Sequence, residues 1–330
     1  MMLFPVTDAS QVGTVRRRAL RLARERGLGE DARDRLALVV TEIGTNLMRH
    51  ATEGELILAP TERDEPPGVT VVGTDTGPGL ASVEKALEDG YTTAGKGRSL
   101  GGGLGAIRRL SDRFDIHSDA GGTTVTSTVV ADDGAEDPDL RAAGVIVPKP
   151  GTERGGDAWA FRRGAERSLV VLLDVLGHGA NAAAVAERAT AAFHDADNTE
   201  LERVEPLLSE SLAGERGAAM VLAEISHGEG TLRALGIGNI RGEVIRGSER
   251  SGIVSAAGIA GQATRRKAVL SYPWAPGALL VLWTDGLQER GRGSEPPSLL
   301  QREPMTIAAT LYRRRRRGSD DSGVVVVRAR

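Results

Sequence analysis

The amino-acid sequence predicts an α+β protein made of two domains. A length of 330 residues is enough for two domains of ordinary size, each with its own core. Helical patterns and a few strands fill the first 130 residues, whereas from Gly144 onward short apolar runs alternate with glycine-rich turns. Residues 131–140 are acidic, poor in apolar side chains and contain Pro138, which is typical of a linker. We therefore expect a first domain at 1–130, a linker at 131–143 and a second domain at 144–330.

The first domain begins with two helical patterns. Apolar residues recur at helical spacing through the second of them, at Leu36, Val40, Ile43 and Leu47. Runs rich in β-branched residues and separated by polar turns predict the strands that follow. Helices are expected at 10–26, 30–51 and 104–111, and strands at 55–58, 69–74, 114–118 and 123–130. The predicted architecture is an α/β sandwich with helices on one face of a mixed sheet.

The second domain is expected to be a two-sheet β-sandwich flanked by helices. Its apolar runs are short and end at turn-forming residues, which favours strands over helices. Strands are expected at 145–147, 158–162, 169–174, 219–225, 232–236, 242–246, 279–283 and 324–328, and helices at 180–194 and 201–212.

Composition excludes several classes of function. The chain contains no cysteine, which suits a cytoplasmic protein without disulfides. Its net charge of −3 provides no general attraction to nucleic acid. Its longest apolar runs are far too short to cross a bilayer, so neither nucleic acid nor membrane is expected as a partner. The basic run Arg313 to Arg317 is expected to be solvated or to dock an acidic partner face.

The stretch from Val71 to Gly105 carries the chemistry predicted for the first domain. A β-branched run delivers Asp75 to a strand end, and Gly77-Pro78-Gly79 stops the strand there. A second cluster, Gly101-Gly102-Gly103-Leu104-Gly105, precedes a helix, where backbone N–H groups favour an anion such as phosphate.

Upstream of this stretch, Glu42 and Asn46 lie four residues apart, on one face of the second helix. Their oxygens are of the kind that orients a nucleophile and holds Mg²⁺.

These motifs resemble GHKL-type ATP-binding domains, and among them the RsbT-like serine/threonine kinases of partner-switching stress systems. The resemblance covers 1–130 and rests on GluIleGlyThrAsn (42–46), DTGPGL (75–80), SLGGGLGAIRRL (99–110) and GlyGlyThrThrVal (121–125). It implies that Glu42 is the general base, that Asn46 binds Mg²⁺ and that Asp75 holds the adenine amino group. The ATP-binding residues that it implies are Asn46, Asp75, Gly77, Gly79, Gly101, Gly102, Gly103, Leu104, Gly105 and, near the adenine, Thr124.

Aspartates recur at strand ends in the second domain. They are Asp157, Asp174, Asp285 and the adjacent pair Asp320 and Asp321. Carboxylates gathered at one edge of a sandwich repel each other unless cations lie among them. Hard divalent ions prefer oxygen ligands, and a pair of such ions can activate a water molecule.

This set resembles the metal-dependent protein serine/threonine phosphatases of the SpoIIE-like and RsbX-like branch, over 144–330. The resemblance implies that Asp174 bridges two Mn²⁺ or Mg²⁺ ions and that the carbonyl of Val175 is a further ligand. Asp157, Asp285 and Asp320 complete the implied metal shell. Val175 stands where the family often has glycine, which a carbonyl ligand tolerates if φ is negative. Ser322-Gly323 also departs from the family pattern, so the choice between Asp320 and Asp321 stays open.

The two resemblances together predict a bifunctional enzyme. The kinase half would use ATP and Mg²⁺ to phosphorylate Ser or Thr of STAS-domain proteins of the anti-anti-sigma or stressosome type, and the other half would dephosphorylate phosphoproteins. One alternative is an ATP-binding module that sequesters a partner such as a sigma factor. The other is a phosphatase that ATP gates, without kinase activity.

Overall fold

The chain forms two compact units. A computed structural model describes residues 1–88, 103–131, 139–197, 199–262, 267–289 and 295–330. The first unit comprises Met1–Asp137 together with Glu295–Arg314, and the second comprises Pro138–Ser294 together with Arg315–Arg330. The division predicted from sequence is therefore wrong for 295–314, which belong to the first unit. Most of the predicted linker lies outside the described residues, and its last four residues, 140–143, are part of a strand.

The helices and strands follow the sequence-based expectation closely, with additions. In chain order they are β1 (Met2–Pro5), α1 (Ala9–Glu25), α2 (Glu30–His50), β2 (Glu55–Pro60), β3 (Gly68–Thr74), α3 (Val83–Ala86), α4 (Gly103–Leu110), β4 (Arg113–Asp119), β5 (Gly122–Val130), β6 (Leu140–Val147), β7 (Asp157–Arg163), β8 (Arg167–Val175), α5 (Ala180–Asp195), α6 (Leu201–Leu212), β9 (Ala218–Ser226), β10 (Thr231–Ile237), β11 (Arg241–Arg246), β12 (Glu249–Gly252), β13 (Ser255–Ala256), β14 (Val269–Pro273), β15 (Leu279–Trp283), α7 (Pro297–Leu300), α8 (Pro304–Arg315) and β16 (Ser322–Ala329). Among the described residues, no helix has the length and apolar character needed to cross a membrane.

The first unit is built on one five-stranded sheet of order β1-β2-β3-β5-β4. Each adjacent pair of described strands is antiparallel, so the expectation of a mixed sheet is wrong. One face of the sheet packs against α1, α2 and α4 in a core that includes Leu36, Ile43, Val71, Ile107 and Val125. The apolar stripe predicted for α2 packs against this face of the sheet.

The opposite face of this sheet is lined by threonines and is covered by α8. Strand alternation places Thr124 and Thr126 of β5 on that face. The Oγ1 atoms of Thr126 and Thr306 lie 2.9 Å apart, and the Thr310 hydroxyl donates to Thr124 Oγ1 at 3.0 Å. The expectation that helices cover a single face is therefore wrong, because a helix from late in the sequence completes the layer.

The second unit is the predicted β-sandwich. One sheet has the order β13-β10-β9-β8-β7, with β14 also paired to β10, and the other has the order β12-β11-β15-β16-β6. Their facing side chains form a core that includes Phe161, Val221, Leu280 and Val325. Helices α5 and α6 cover the outer face of the first sheet, where Phe193 is fully buried.

Candidate functional site

A cavity of about 410 Å³ opens in the first unit beside α2, β3 and the start of α4. This volume is within the range of small-molecule sites. The cavity is lined by six of the predicted ATP-binding residues, namely Asn46, Asp75, Gly77, Gly79, Gly103 and Leu104. The structure thus brings the predicted helix, strand-end and glycine motifs together at one place.

Asp75 lies at the end of β3, where the chain turns sharply. Its Oδ1 accepts a hydrogen bond from the Gly77 N–H at 2.6 Å, and its own N–H donates to the Thr123 carbonyl at 3.0 Å. Burial raises the pKa of the Asp75 carboxyl, while hydrogen bonds to this carboxyl from the backbone of Gly77 and Thr123 and the charge of Arg313 oppose that rise. Gly79 has φ = +77°, and a Cβ there would lie 2.2 Å from the Asp119 carbonyl oxygen, so the turn requires glycine.

Helix α2 presents Asn46 to the cavity, but Glu42 is not among the described residues that line it. Glu42 lies one turn earlier and is half-buried. Burial raises the pKa of Glu42, and the charge of Arg49 partly offsets this. A raised pKa suits a general base, although the structure does not place this carboxylate at the cavity wall.

Two other predicted residues do not line the cavity. Thr124 faces away from it, toward Thr74 and Thr310, because strand residues alternate between faces. Its neighbour Thr123 lines the cavity instead. Gly105 is buried inside α4 without lining the cavity. Gly101 and Gly102 lie outside the described residues.

In the second unit, aspartates at the ends of four strands influence one another. Asp157 and Asp174 are paired across β7 and β8. Burial and then the charge of Asp174 raise the pKa of Asp157 well above its usual range. Burial and then the charges of Asp285 and Asp320 raise the pKa of Asp174 to about 7. Burial and Asp320 also raise the pKa of Asp285. This edge of the sandwich therefore has excess negative charge that a cation would relieve.

The structure distinguishes Asp320 from Asp321. The Asp321 carboxylate accepts the N–H groups of Lys149 at 2.7 Å and of Gly156 at 2.6 Å, and the residue is 5% exposed. A Cβ at Gly155 would lie 2.6 Å from that carboxylate, which explains the glycine. These loop amides hold the Asp321 carboxylate, which favours Asp320 as the candidate metal ligand of the pair.

Two further side chains hold the carboxylates, and the sequence analysis assigned them no role. The Thr284 hydroxyl donates to Asp157 Oδ2 at 2.7 Å, and the Asn239 side-chain amide donates to Asp285 Oδ2 at 2.8 Å. Their sequence signals were present, since Thr284 directly precedes Asp285 and Asn239 lies between the predicted strands 232–236 and 242–246. Val175 is not among the residues with positive φ, as the expected role of its carbonyl requires.

The aspartates fit divalent metal ions by donor chemistry. All are oxygen donors, and three of them have raised pKa values that a bound cation would lower. Within the described part of the chain, no group of three or more His, Asp or Glu side chains already surrounds a single point as a metal cage. The fit therefore rests on the type of donor and on the mutual repulsion of the carboxylates.

Two family models match successive parts of the chain. Residues 4–129 match the histidine kinase-like ATPase domain, and residues 164–330 match Stage II sporulation protein E (SpoIIE). The chain belongs to the SpoIIE family. The predicted resemblances are thereby confirmed, since a histidine kinase-like ATPase domain precedes a SpoIIE-family region.

Individual relatives support the same assignment. The serine/threonine-protein kinase RsbT of Bacillus subtilis (strain 168) is 31% identical over 100 residues, which are 30% of this chain and 73% of RsbT. The chain is also similar to one from a structure of the bacterial stressosome, described as a modular system adapted to control secondary messenger signalling. The two are 25% identical with a TM-score of 0.53, over 58% of this chain and 100% of that one. RsbX in complex with magnesium is 15% identical with a TM-score of 0.50, covering 65% of this chain and 98% of RsbX, and shows the fold alone. A kinase-like ATPase domain joined to a SpoIIE-family region fits partner-switching regulation, and the two families use ATP and divalent metals in general.

Proposed function

We propose that this SpoIIE-family chain is a bifunctional partner-switching regulator. Its first unit binds ATP with Mg²⁺ and phosphorylates Ser or Thr of a STAS-domain protein, and its second unit removes phosphate from phosphoserine or phosphothreonine proteins with two Mn²⁺ or Mg²⁺ ions. The observation that carries the proposal is that one chain holds both an Asn46–Asp75 cavity and a separate set of mutually repelling aspartates. STAS-domain partners are inferred from the similarity to RsbT and to the stressosome chain.

In the first unit, Asp75 would recognise the adenine. Its Oδ1 accepts the Gly77 N–H, which orients the carboxylate as an acceptor for the adenine amino group. Asn46 offers an amide oxygen for the Mg²⁺ that accompanies the phosphates. Glu42, one helical turn away and with a raised pKa, is the candidate base for the substrate hydroxyl.

In the second unit, Asp157, Asp174, Asp285 and Asp320 would hold the ions, with the Val175 carbonyl as a further donor. Two divalent cations, when bound, supply the positive charge that favours attack of water on a phosphate ester. The chain contributes orientation: Thr284 fixes Asp157 and Asn239 fixes Asp285. Asp321 ties Lys149 and Gly156 to the strand end that carries Asp320.

The proposal is tested with one purified STAS-domain protein followed by phosphate-affinity electrophoresis. Wild-type chain with ATP and Mg²⁺ should phosphorylate it, and the Asp174→Asn variant should retain that activity while failing to dephosphorylate the phosphorylated form. The Asp75→Asn variant should show the converse pattern. Loss of both activities in each variant, with both variants folded, would contradict a division of labour between the units.

A second candidate function is sequestration of a partner by an ATP-bound first unit. It is favoured by one observation, that Glu42 does not line the described part of the cavity. Under this alternative the chain binds a partner tightly in the presence of ATP and transfers no phosphate to it. Measuring binding and phosphoryl transfer on the same STAS-domain protein separates the two functions.

A further inference from the structure

Helix α8 belongs to the nucleotide-binding unit although its sequence follows the second unit's strands. Thr306 and Thr310 on one side of α8 bond to Thr126 and Thr124 of β5. The backbone N–H of Glu303, just before α8, donates to Asp115 Oδ2 at 2.7 Å. Since Thr123, next to Thr124, lines the nucleotide cavity, α8 rests on the reverse side of a cavity strand.

Arg313, near the end of α8, forms hydrogen bonds and an ion pair with a turn whose backbone is strained. Its side chain is only 2% exposed, and its Nη2 donates to the Glu53 carbonyl at 2.7 Å and to Glu53 Oε2 at 2.9 Å. Its Nη1 lies 3.6 Å from Glu55 Oε2. Glu53 has φ = +51°, a conformation that residues other than glycine adopt at a cost. These interactions of Arg313 therefore stabilise a backbone conformation of Glu53 that is unfavourable by itself.

This turn is in direct contact with the adenine-recognition strand end. The Thr52 carbonyl, adjacent to Glu53, accepts the N–H of Thr76 at 3.0 Å, and Thr76 follows Asp75. Ala51, at the start of the same turn, lines the cavity. The positive charge of Arg313 also opposes the rise that burial causes in the pKa of Asp75. Arg313 is thus connected to Asp75 through the backbone and through its charge.

The residues that directly follow Arg313 are tied to the metal loops of the second unit. The Arg315 carbonyl accepts the Gln288 N–H at 2.7 Å, and the Arg317 N–H donates to the Gly286 carbonyl at 2.9 Å. Burial and Asp320 raise the pKa of Asp285, and the charge of Arg317 partly offsets that rise. Asp320 follows Arg317 by three residues in the chain. One short stretch of chain, 313–320, therefore has contacts at the nucleotide site of one unit and at the metal loops of the other.

We propose that α8 is a coupling helix, in which Arg313 and Thr310 position the strand ends around the nucleotide and transmit its binding along the chain to the loop that carries Asp320. This inference rests on the proposed binding of ATP by the first unit. Arg313 is a positioning residue here, because it reaches the nucleotide only through Glu53, Thr52 and Thr76. Coupling between two sites is reciprocal, so a metal bound near Asp320 should change nucleotide affinity by the same factor that nucleotide changes metal affinity.

The test uses the full chain and a non-hydrolysable ATP analogue in a fixed excess of Mg²⁺. Hydrogen exchange followed by mass spectrometry is measured with and without the analogue, and the analogue's affinity is measured by fluorescence titration. In the wild type we expect slower exchange in 304–315 and a changed rate in 316–323. In Arg313→Gln we expect analogue affinity to fall at least about fivefold and the change in 316–323 to disappear.

Two further variants keep the test decisive. Thr310→Val preserves shape and removes only the hydroxyl that bonds Thr124, so it should reduce the change in 316–323 even if Arg313→Gln does not fold. Arg188→Gln removes an exposed ion pair with Glu215 and should behave as the wild type. If the wild type binds the analogue while exchange in 316–323 stays unchanged, the coupling inference alone is overturned. If the wild type does not bind the analogue, both the proposed nucleotide binding and the inference fail.

Discussion

Thr284 allows a sharp test of the metal-site geometry. Its hydroxyl donates to Asp157 Oδ2 at 2.7 Å and accepts the Gly323 N–H at 2.8 Å, and the residue is fully buried. Thr284→Val keeps the β-branched shape and removes both bonds. A hydrogen bond to a charged group contributes about 1.5–3 kcal/mol, and a buried N–H left without an acceptor costs about 1–3 kcal/mol. Because Asp157 is then free to turn away, Mn²⁺ affinity should fall about 10- to 100-fold, as for other residues that orient metal ligands.

The assay for Thr284→Val is isothermal titration of the full chain with Mn²⁺, with thermal unfolding measured on the same samples. Thr231→Val is a matched control, since Thr231 begins a strand of the same unit and its hydroxyl donates only to the Glu229 carbonyl, at 3.2 Å. The control should keep wild-type Mn²⁺ affinity. A Thr284→Val chain that is less stable yet binds Mn²⁺ as tightly as the wild type would refute the argument that Thr284 orients Asp157 for a metal.

Four further outcomes are expected. Asp75→Asn removes a charged acceptor and should weaken ATP binding by about 1.5–3 kcal/mol, measured by calorimetry; unchanged affinity would place the adenine elsewhere. Glu42→Gln should lower phosphoryl transfer to a STAS-domain protein by about 10²–10⁴-fold while ATP still binds, and an unchanged rate would remove Glu42 as the base. Asp174→Asn should abolish hydrolysis of a phosphoserine substrate, which in the wild type should require Mn²⁺ or Mg²⁺ and stop with chelator; chelator-resistant hydrolysis would contradict the metal proposal. Burial and neighbouring carboxylates raise the pKa of Glu62 to about 7, so the folded state binds this proton more tightly than the unfolded state does. The free energy of unfolding should therefore fall as pH rises from about 4.5 to about 7. In urea unfolding, Glu62→Gln should lose that part of the pH dependence, and a pH profile identical to that of the wild type would contradict this.

Sequence periodicity was sufficient to predict the elements that have one solvent-exposed face and one buried face. Helix α2 shows a regular apolar stripe because one side packs on the sheet, and its predicted bounds differ from the observed ones by one residue. Helix α8 was not predicted, because the segment PMTIAATLYRRR places threonines among its sheet-facing positions and has no comparable apolar stripe. Sequence patterns cannot reveal that threonines on one face of a sheet will hydrogen-bond to threonines 180 or more positions later in the chain.

The site residues show the same limit. Motifs located Asp75 and Asp174, because strand ends and glycine turns leave local signals. They pointed to Thr124 and could not show that Thr123 lines the cavity, since the face that each residue occupies depends on the pairing register of β5 with β3. The basic run was also misjudged. It was expected to be solvated or to dock an acidic partner face, but Arg313 and Arg315 are buried, and Arg313 pairs with glutamates of its own chain.

The boundaries of family similarity and of structural units differ in this chain, and the difference has a functional consequence. The SpoIIE match runs without interruption from 164 to 330, yet Glu295–Arg314 lies within the ATPase-type unit. The chain therefore passes between the units three times, near 137, 294 and 314, rather than once through a flexible linker. A fragment cut at the family boundary would leave the first unit without α8, so its buried threonines and the Glu53 turn would lose their partners. Because 295–314 lies within the first unit, the proposed activities should be measured on the intact chain.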